Sequence, residues 1–130
     1  MVWASIWDHN KSELIAMRRD STAKKNGYTA SSYIEAIHTG LREFYEPLLI
    51  FQQDNAPIHI ANKTKAWFRQ MEVELLKDWP PYSPDLNPIE HVWAILKDRL
   101  YRLYPEAETW SGSEESIEEK MEDSLVYAWS

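Results

Sequence analysis

Two stretches of this chain each place an acidic residue at the edge of a predicted secondary-structure element, with 35 residues between the two acids. Asp54 follows the apolar run 48–51, which predicts a short buried strand. Glu90 lies in the first turn of an amphipathic helix that begins after Pro88, where the fixed φ of proline and its lack of an N–H cost least. Carboxylates at a strand end and a helix start are suited to hold Mg²⁺ or Mn²⁺. The spacing therefore favours a fold in which a strand, a helix, a second strand and a loop bring residues 54 and 90 to one point.

The apolar periodicity along the chain predicts the order β-β-α-β-α-β-α, which is typical of an α/β layered sheet. Thr29 is the predicted N-cap of the first helix. Residues 104–115 are predicted to be a linker, and Ile117, Met121 and Leu125 a final short amphipathic helix. Strands near 2–8, 12–18, 47–53 and 72–78 are expected to form one sheet, with helices near 29–45, 60–71 and 87–102 packed on it.

Composition excludes several classes of protein. The 130 residues suffice for one domain with a hydrophobic core. No apolar stretch is long enough to cross a membrane, and no basic and apolar leader precedes a cleavage site, so neither membrane insertion nor secretion is expected. With no cysteine, a metal site has only oxygen and imidazole ligands.

The net charge of −7 is unevenly distributed. Residues 1–103 hold 13 basic and 13 acidic side chains, whereas residues 104–130 hold one basic and eight acidic ones. We therefore expect two parts, a neutral body over 1–103 and an acidic linker with a short helix over 104–130. Net charge alone neither favours nor excludes DNA as a partner.

The two acidic segments read FQQDNAPIH (residues 51–59) and WPPYSPDLNPIE (residues 79–90). They resemble the catalytic domain of Tc/mariner-type DDE transposases, and the resemblance covers about residues 1–100. It implies a ribonuclease H-like fold, a mixed sheet with flanking helices, and metal-dependent DNA strand cleavage and transfer. Asp54 and Glu90 would be two of the family's three catalytic carboxylates and would ligate two Mg²⁺ or Mn²⁺ ions. The implied partners are transposon-end and target DNA and further copies of the chain in a homo-oligomer. The implied location is the nucleus.

The family's first catalytic aspartate lies on the first, central strand, upstream of the strand that corresponds here to residues 2–7. The resemblance thus implies a catalytic domain truncated at its N-terminus, without that strand or its carboxylate. Because three carboxylates are needed to hold two ions against their mutual repulsion, we expect the chain to be inactive alone. Its open strand edges predict marginal stability or oligomerisation.

Two alternatives stay open at this point. The chain could be a non-catalytic, transposon-derived remnant that acts through protein contacts, or a metal-dependent nuclease completed by Asp8 or by a partner chain. Asp8 lies in the predicted hairpin turn 8–11, which favours a turn role. Asn55, His59 and His91 are candidates for hydrogen bonding around the acidic pair.

Overall fold

A computed structural model describes residues 1–42 and 44–130 as a layered arrangement of helices and short strands. The strands are β1 (Val2–Trp3), β2 (Ile6–Trp7), β3 (Asn10–Lys11), β4 (Ile15–Ala16), β5 (Ile50–Phe51) and β6 (Glu74–Leu75). The helices are α1 (Ala30–Leu41), α2 (Pro57–Ile60), α3 (Asn62–Gln70), α4 (Pro88–Leu103) and α5 (Glu114–Trp129), with 3-10 turns at Pro84–Leu86 and Ala107–Thr109.

The first four strands form the predicted hairpin. β1 pairs antiparallel with β4, and β2 pairs antiparallel with β3. Between these two ladders, residues 4–5 on one strand lie opposite residues 12–14 on the other, so the hairpin carries a bulge of one residue. Asp8 adopts a φ of 48° at the turn, a left-handed conformation that aspartate tolerates better than most residues.

β5 and β6 pair in parallel, joined by a crossover that contains α2 and α3. The prediction of one continuous sheet is wrong, because the strand pairs of the described residues form three separate two-stranded sheets. The reason is that the hairpin and β5 lie on opposite sides of a cleft, so their backbones do not pair. The mixture of antiparallel and parallel pairs with flanking helices is consistent with the expected α/β class.

The hairpin lies between two hydrophobic clusters because alternate residues of a strand point to opposite faces. Trp3 packs with residues of α1 and α3, whereas its neighbour Ala4 packs with α4 and α5. The Trp3 ring lies so close to Gly40 that a Cβ there would come within 2.0 Å of it. Helices therefore cover both faces of the hairpin, which is the layered arrangement that the sequence predicts.

The apolar run 48–51 is less buried than its composition predicts. The strand is limited to Ile50 and Phe51, Leu48 lies in a turn with 94% of its surface exposed, and Ile50 is 55% exposed. The prediction of a buried strand is therefore wrong for these two residues. The reason is that β5 has a neighbour, β6, on one edge, while its other edge borders a cleft.

Helix boundaries follow local signals. Thr29 caps α1 as predicted, in a reciprocal capping box with Ser32. α5 spans 16 residues, longer than expected, and its buried Trp129 joins the cluster formed with α4. Within the described ranges, the helices lack the length and apolar character that crossing a membrane requires.

Candidate active site

Asp54 lies between β5 and α2, and two hydrogen bonds fix its carboxylate. Its Oδ1 accepts from the backbone N–H of Ala56 at 2.9 Å and from Nδ1 of His59 at 2.6 Å. Because an ionised carboxylate only accepts, the Nδ1 of His59 is the protonated nitrogen in this pair. Both bonds reach Oδ1, so Oδ2 is the oxygen available to a cation, and the side chain of Asp54 remains 50% exposed.

The buried Tyr33 contacts the Asp54 segment through Gln53 and His59. The Tyr33 hydroxyl donates to Oε1 of Gln53 at 2.6 Å, and Nε2 of Gln53 donates to the carbonyl of His59 at 3.3 Å. The Tyr33 and His59 rings also pack with their centroids 4.3 Å apart. Burial, with the nearby charge of Asp54 adding to it, raises the pKa of Tyr33 well above its ordinary value. The tyrosine is therefore a neutral donor near neutral pH.

Glu90 is positioned by its backbone rather than by side-chain bonds. Pro88 occupies the first turn of α4 and Asn87 precedes the helix, so Glu90 lies in the first turn as predicted. Its side chain is exposed, and the helix dipole favours a negative charge at this end.

Two amides join the Asp54 segment to the Glu90 segment. Gln52 donates from Nε2 to the carbonyl of Leu86 at 3.3 Å and lies 3.5 Å from Oδ1 of the buried Asn87. Asn55 donates from Nδ2 to the carbonyl of Trp79 at 3.2 Å. These bonds join residues that lie 24 to 35 positions apart in the chain, and they connect the segment of Asp54 to that of Glu90.

Asp54 and Glu90 line the same two recesses. The larger, of about 460 Å³, is a cleft between the hairpin and β5, and its walls include Val2–Trp7 and Leu49–Gln53. The smaller, of about 360 Å³, lies between the Asp54 segment and the proline-rich loop 79–84. The carboxylates thus stand where the two recesses meet.

The other candidate residues are placed differently. Asp8 is exposed in the hairpin turn, where it faces His9 at 3.6 Å. His91 is exposed on α4, and neither His91 nor Asp8 belongs to the described residues that line the two recesses. The contacts of Asn55 run to the proline-rich loop rather than to Asp54. Of the three hydrogen-bonding candidates, His59 is the one that contacts a carboxylate.

The sequence did not indicate Tyr33, Gln53 or Tyr82 as site residues. Tyr33 is brought to this segment by the packing of α1, which no local pattern reveals, whereas Gln53 directly precedes Asp54 and bonds to Tyr33 because of the same packing. Tyr82, in the wall of the smaller recess, carries a weak signal: an aromatic residue within a run of prolines.

The side chains at the recess include ligands of the kind that a divalent metal ion requires. Carboxylate oxygens suit Mg²⁺ and Mn²⁺, and Asp54 and Glu90 face a common space. Among residues 1–42 and 44–130, however, no group of three or more His, Asp or Glu side chains is gathered as a metal cluster. With two carboxylates at this recess, the described residues offer fewer charged ligands than a pair of ions needs.

Most of this chain is similar to known proteins. Residues 7–109 match the family model described as DDE superfamily endonuclease. The Transposable element Tc3 transposase of Caenorhabditis elegans is 38% identical over 112 residues, which cover 81% of this chain and 32% of that protein. The Tc1 transposase of the same organism is 55% identical over 51 residues, covering 39% of this chain and 18% of that protein. The Tcb2 transposase of Caenorhabditis briggsae is 61% identical over 44 residues, covering 34% and 16%. The chain thus spans about a third or less of the length of these relatives.

Proposed function

This chain belongs to the DDE superfamily endonuclease family, of the Tc/mariner transposase type, and from that membership we propose that it is part of a catalytic domain for metal-dependent DNA strand cleavage and transfer. The observation that carries the proposal is the recess shared by Asp54 and Glu90. Two carboxylates from distant segments that face one accessible space are the donors that phosphodiester chemistry uses.

Asp54 and Glu90 would hold a divalent ion, Mg²⁺ or Mn²⁺. When bound, such an ion activates an attacking oxygen and stabilises the leaving one. The residues of this chain prepare the site beforehand. His59 and the N–H of Ala56 fix the orientation of Asp54, while Gln52 and Asn87 hold the two segments together. Preorganised ligands of this kind lower the cost of ordering the site when the ion and the DNA arrive.

The cleft between the hairpin and β5 supports the proposal that the domain is incomplete without a further strand. Both walls are backbone segments in extended conformation, and no ladder of the described residues crosses the space between them. The half-exposed Ile50 borders this gap. A strand inserted there would pair with open edges, cover apolar side chains and place one of its own residues beside Asp54 and Glu90. That residue would be the third carboxylate, and the second ion would then have its ligands.

The DNA partners and the cellular location follow from the same proposal. The DNA partners would be transposon ends and target DNA, and the nucleus would be the place of action. Open edges on both sides of the cleft also favour association between copies of the chain. The exposed position of Asp8 in a turn gives no support to a nuclease completed by that residue.

Strand complementation tests the proposal. Residues 1–130 are compared with a chimera in which the stretch of the Tc3 transposase directly before its matched part is fused to the N-terminus. Plasmid nicking is assayed with Mg²⁺ and with Mn²⁺. The short chain is expected not to nick DNA, whereas the chimera nicks it and has a higher midpoint of thermal unfolding.

Asp54→Ala and Glu90→Ala versions of the chimera are the controls, and both should be inactive. If the short chain nicks DNA, and if either substitution introduced into the short chain abolishes that nicking, the incomplete-domain proposal is refuted. A folded, stabilised chimera with no activity would instead favour the non-catalytic alternative, in which the chain acts through protein contacts.

A further inference from the structure

Tyr82 is the most exposed large side chain near the carboxylates, with a relative exposure of 101%. It lies in the loop between Trp79 and Pro84 and lines the same recess as Asp54 and Glu90. An aromatic ring that is fully in solvent gains nothing from burial in the fold. Its position beside the two proposed metal ligands makes it accessible to a molecule that occupies the recess.

The backbone at Tyr82 is held in a conformation that a bulky residue rarely adopts. Its φ is +55°, in the left-handed region, and Asp78 at the start of the loop has a φ of +58°. Such conformations are energetically costly and persist where the surroundings enforce them. In this conformation the Tyr82 side chain is fully exposed to solvent.

The loop that carries Tyr82 is stiff. Pro80, Pro81 and Pro84 restrict its backbone. Hydrogen bonds fix the carbonyls on both sides of the tyrosine: Asn55 donates to Trp79, Ser83 Oγ donates to Pro81 at 3.2 Å, and the N–H of Leu86 donates to Ser83 at 3.2 Å. The loop backbone that carries Tyr82 is thus held relative to Asp54, because Asn55 directly follows that residue.

We propose that Tyr82 stacks on the base of an unpaired or terminal nucleotide whose neighbouring phosphate lies at Asp54 and Glu90. This inference rests on the proposed function and adds the form of DNA that the site prefers. Aromatic side chains bind bases through their faces, whatever the base. Inside a duplex both faces of a base are covered by its neighbours, so a frayed end or an unpaired nucleotide is what the ring can reach. Tyr82 is a positioning residue for the nucleotide next to the reacting phosphate.

Fluorescence of 2-aminopurine tests the proposal, because stacking quenches it. A single-stranded oligonucleotide carries 2-aminopurine at one end and a fluorescein at the other, so that quenching reports stacking and anisotropy reports binding. Both are measured at low salt with Mg²⁺ for the wild-type chain, Tyr82→Ala and Tyr82→Trp. Tyr127→Ala is the matched control, since Tyr127 is 60% exposed on α5 and lies outside the recess.

Wild type, Tyr82→Trp and Tyr127→Ala are expected to bind and quench, whereas Tyr82→Ala loses the quenching and binds about tenfold more weakly. A 2-aminopurine placed within a duplex should not be quenched. Quenching that survives Tyr82→Ala, or that is equal for the internal duplex base, overturns the inference and leaves the proposed function standing. Failure to bind DNA by every variant, both in the short chain and in the chimera described above, refutes the proposed function, and the stacking inference with it. Circular dichroism of each variant checks that the exposed substitutions leave the fold intact.

Discussion

The two walls of the large cleft differ in how completely they are packed. On one side, the hairpin is covered by helices on both faces, and Trp3, Ala4, Leu14 and Met17 are all buried. On the other side, Ile50 of β5 is substantially exposed, at 55%. Both walls contain similar apolar residues, so composition does not explain the difference. What differs is whether a neighbour lies on each side, and this contrast is what the proposed additional strand at the β5 wall would explain.

The largest expected effect contrasts these two walls directly. Trp3→Ala should destabilise the chain by about 3–5 kcal/mol, because the ring fills the space between the hairpin and α1. Ile50→Ala should cost about 0.5 kcal/mol, in the range of exposed substitutions. Urea unfolding followed by circular dichroism measures both. Equal losses at the two positions would show that the β5 wall is already packed in solution.

A smaller effect concerns Tyr33, which links the packed side to the carboxylate segment. Its raised pKa means that the folded state holds the phenolic proton more tightly than the unfolded chain does. Stability is therefore fully present below the unfolded pKa of about 10 and falls as the pH rises above it. Tyr33→Phe removes the hydrogen bond to Gln53, which should cost about 1 kcal/mol at neutral pH.

The Tyr33→Phe variant should also lose part of the alkaline fall in stability. Thermal unfolding between neutral pH and pH values above about 10 compares the two proteins. Tyr45→Phe is a suitable control, since Tyr45 is a half-buried tyrosine whose hydroxyl bonds to the carbonyl of Leu49. Identical alkaline profiles for wild type and Tyr33→Phe would contradict the role assigned to Tyr33.

The sequence predicted those features that local patterns determine. Pro88 and Glu90 mark the start of α4, and Thr29 marks the start of α1, because helix caps depend on a few neighbouring residues. The motif spacing predicted that segments 51–59 and 79–90 would meet, and Gln52 and Asn55 do join them. The hairpin followed from its turn signal.

Other features depend on contacts that no local pattern contains. The support of Asp54 by Tyr33, through Gln53 and His59, arises from the packing of α1 against a segment about 20 residues further along the chain. The exposure of Leu48 and Ile50 depends on what lies beside β5, which the apolar run itself does not specify. For the same reason the one-sheet prediction was wrong: strand pairing is decided by partners rather than by propensity.

The central claim, that Asp54 and Glu90 form one cation site, is tested most directly by a double-mutant cycle on Mn²⁺ binding. Isothermal titration is carried out on wild type, Asp54→Asn, Glu90→Gln and the double variant, with Asp85→Asn as the matched control because Asp85 is an exposed carboxylate of the same loop region. Weak binding by wild type and by Asp85→Asn is expected, and each single variant should lose nearly as much affinity as the double, since both carboxylates would ligate the same ion. Losses that add independently, or binding that survives either single substitution, would contradict a shared site.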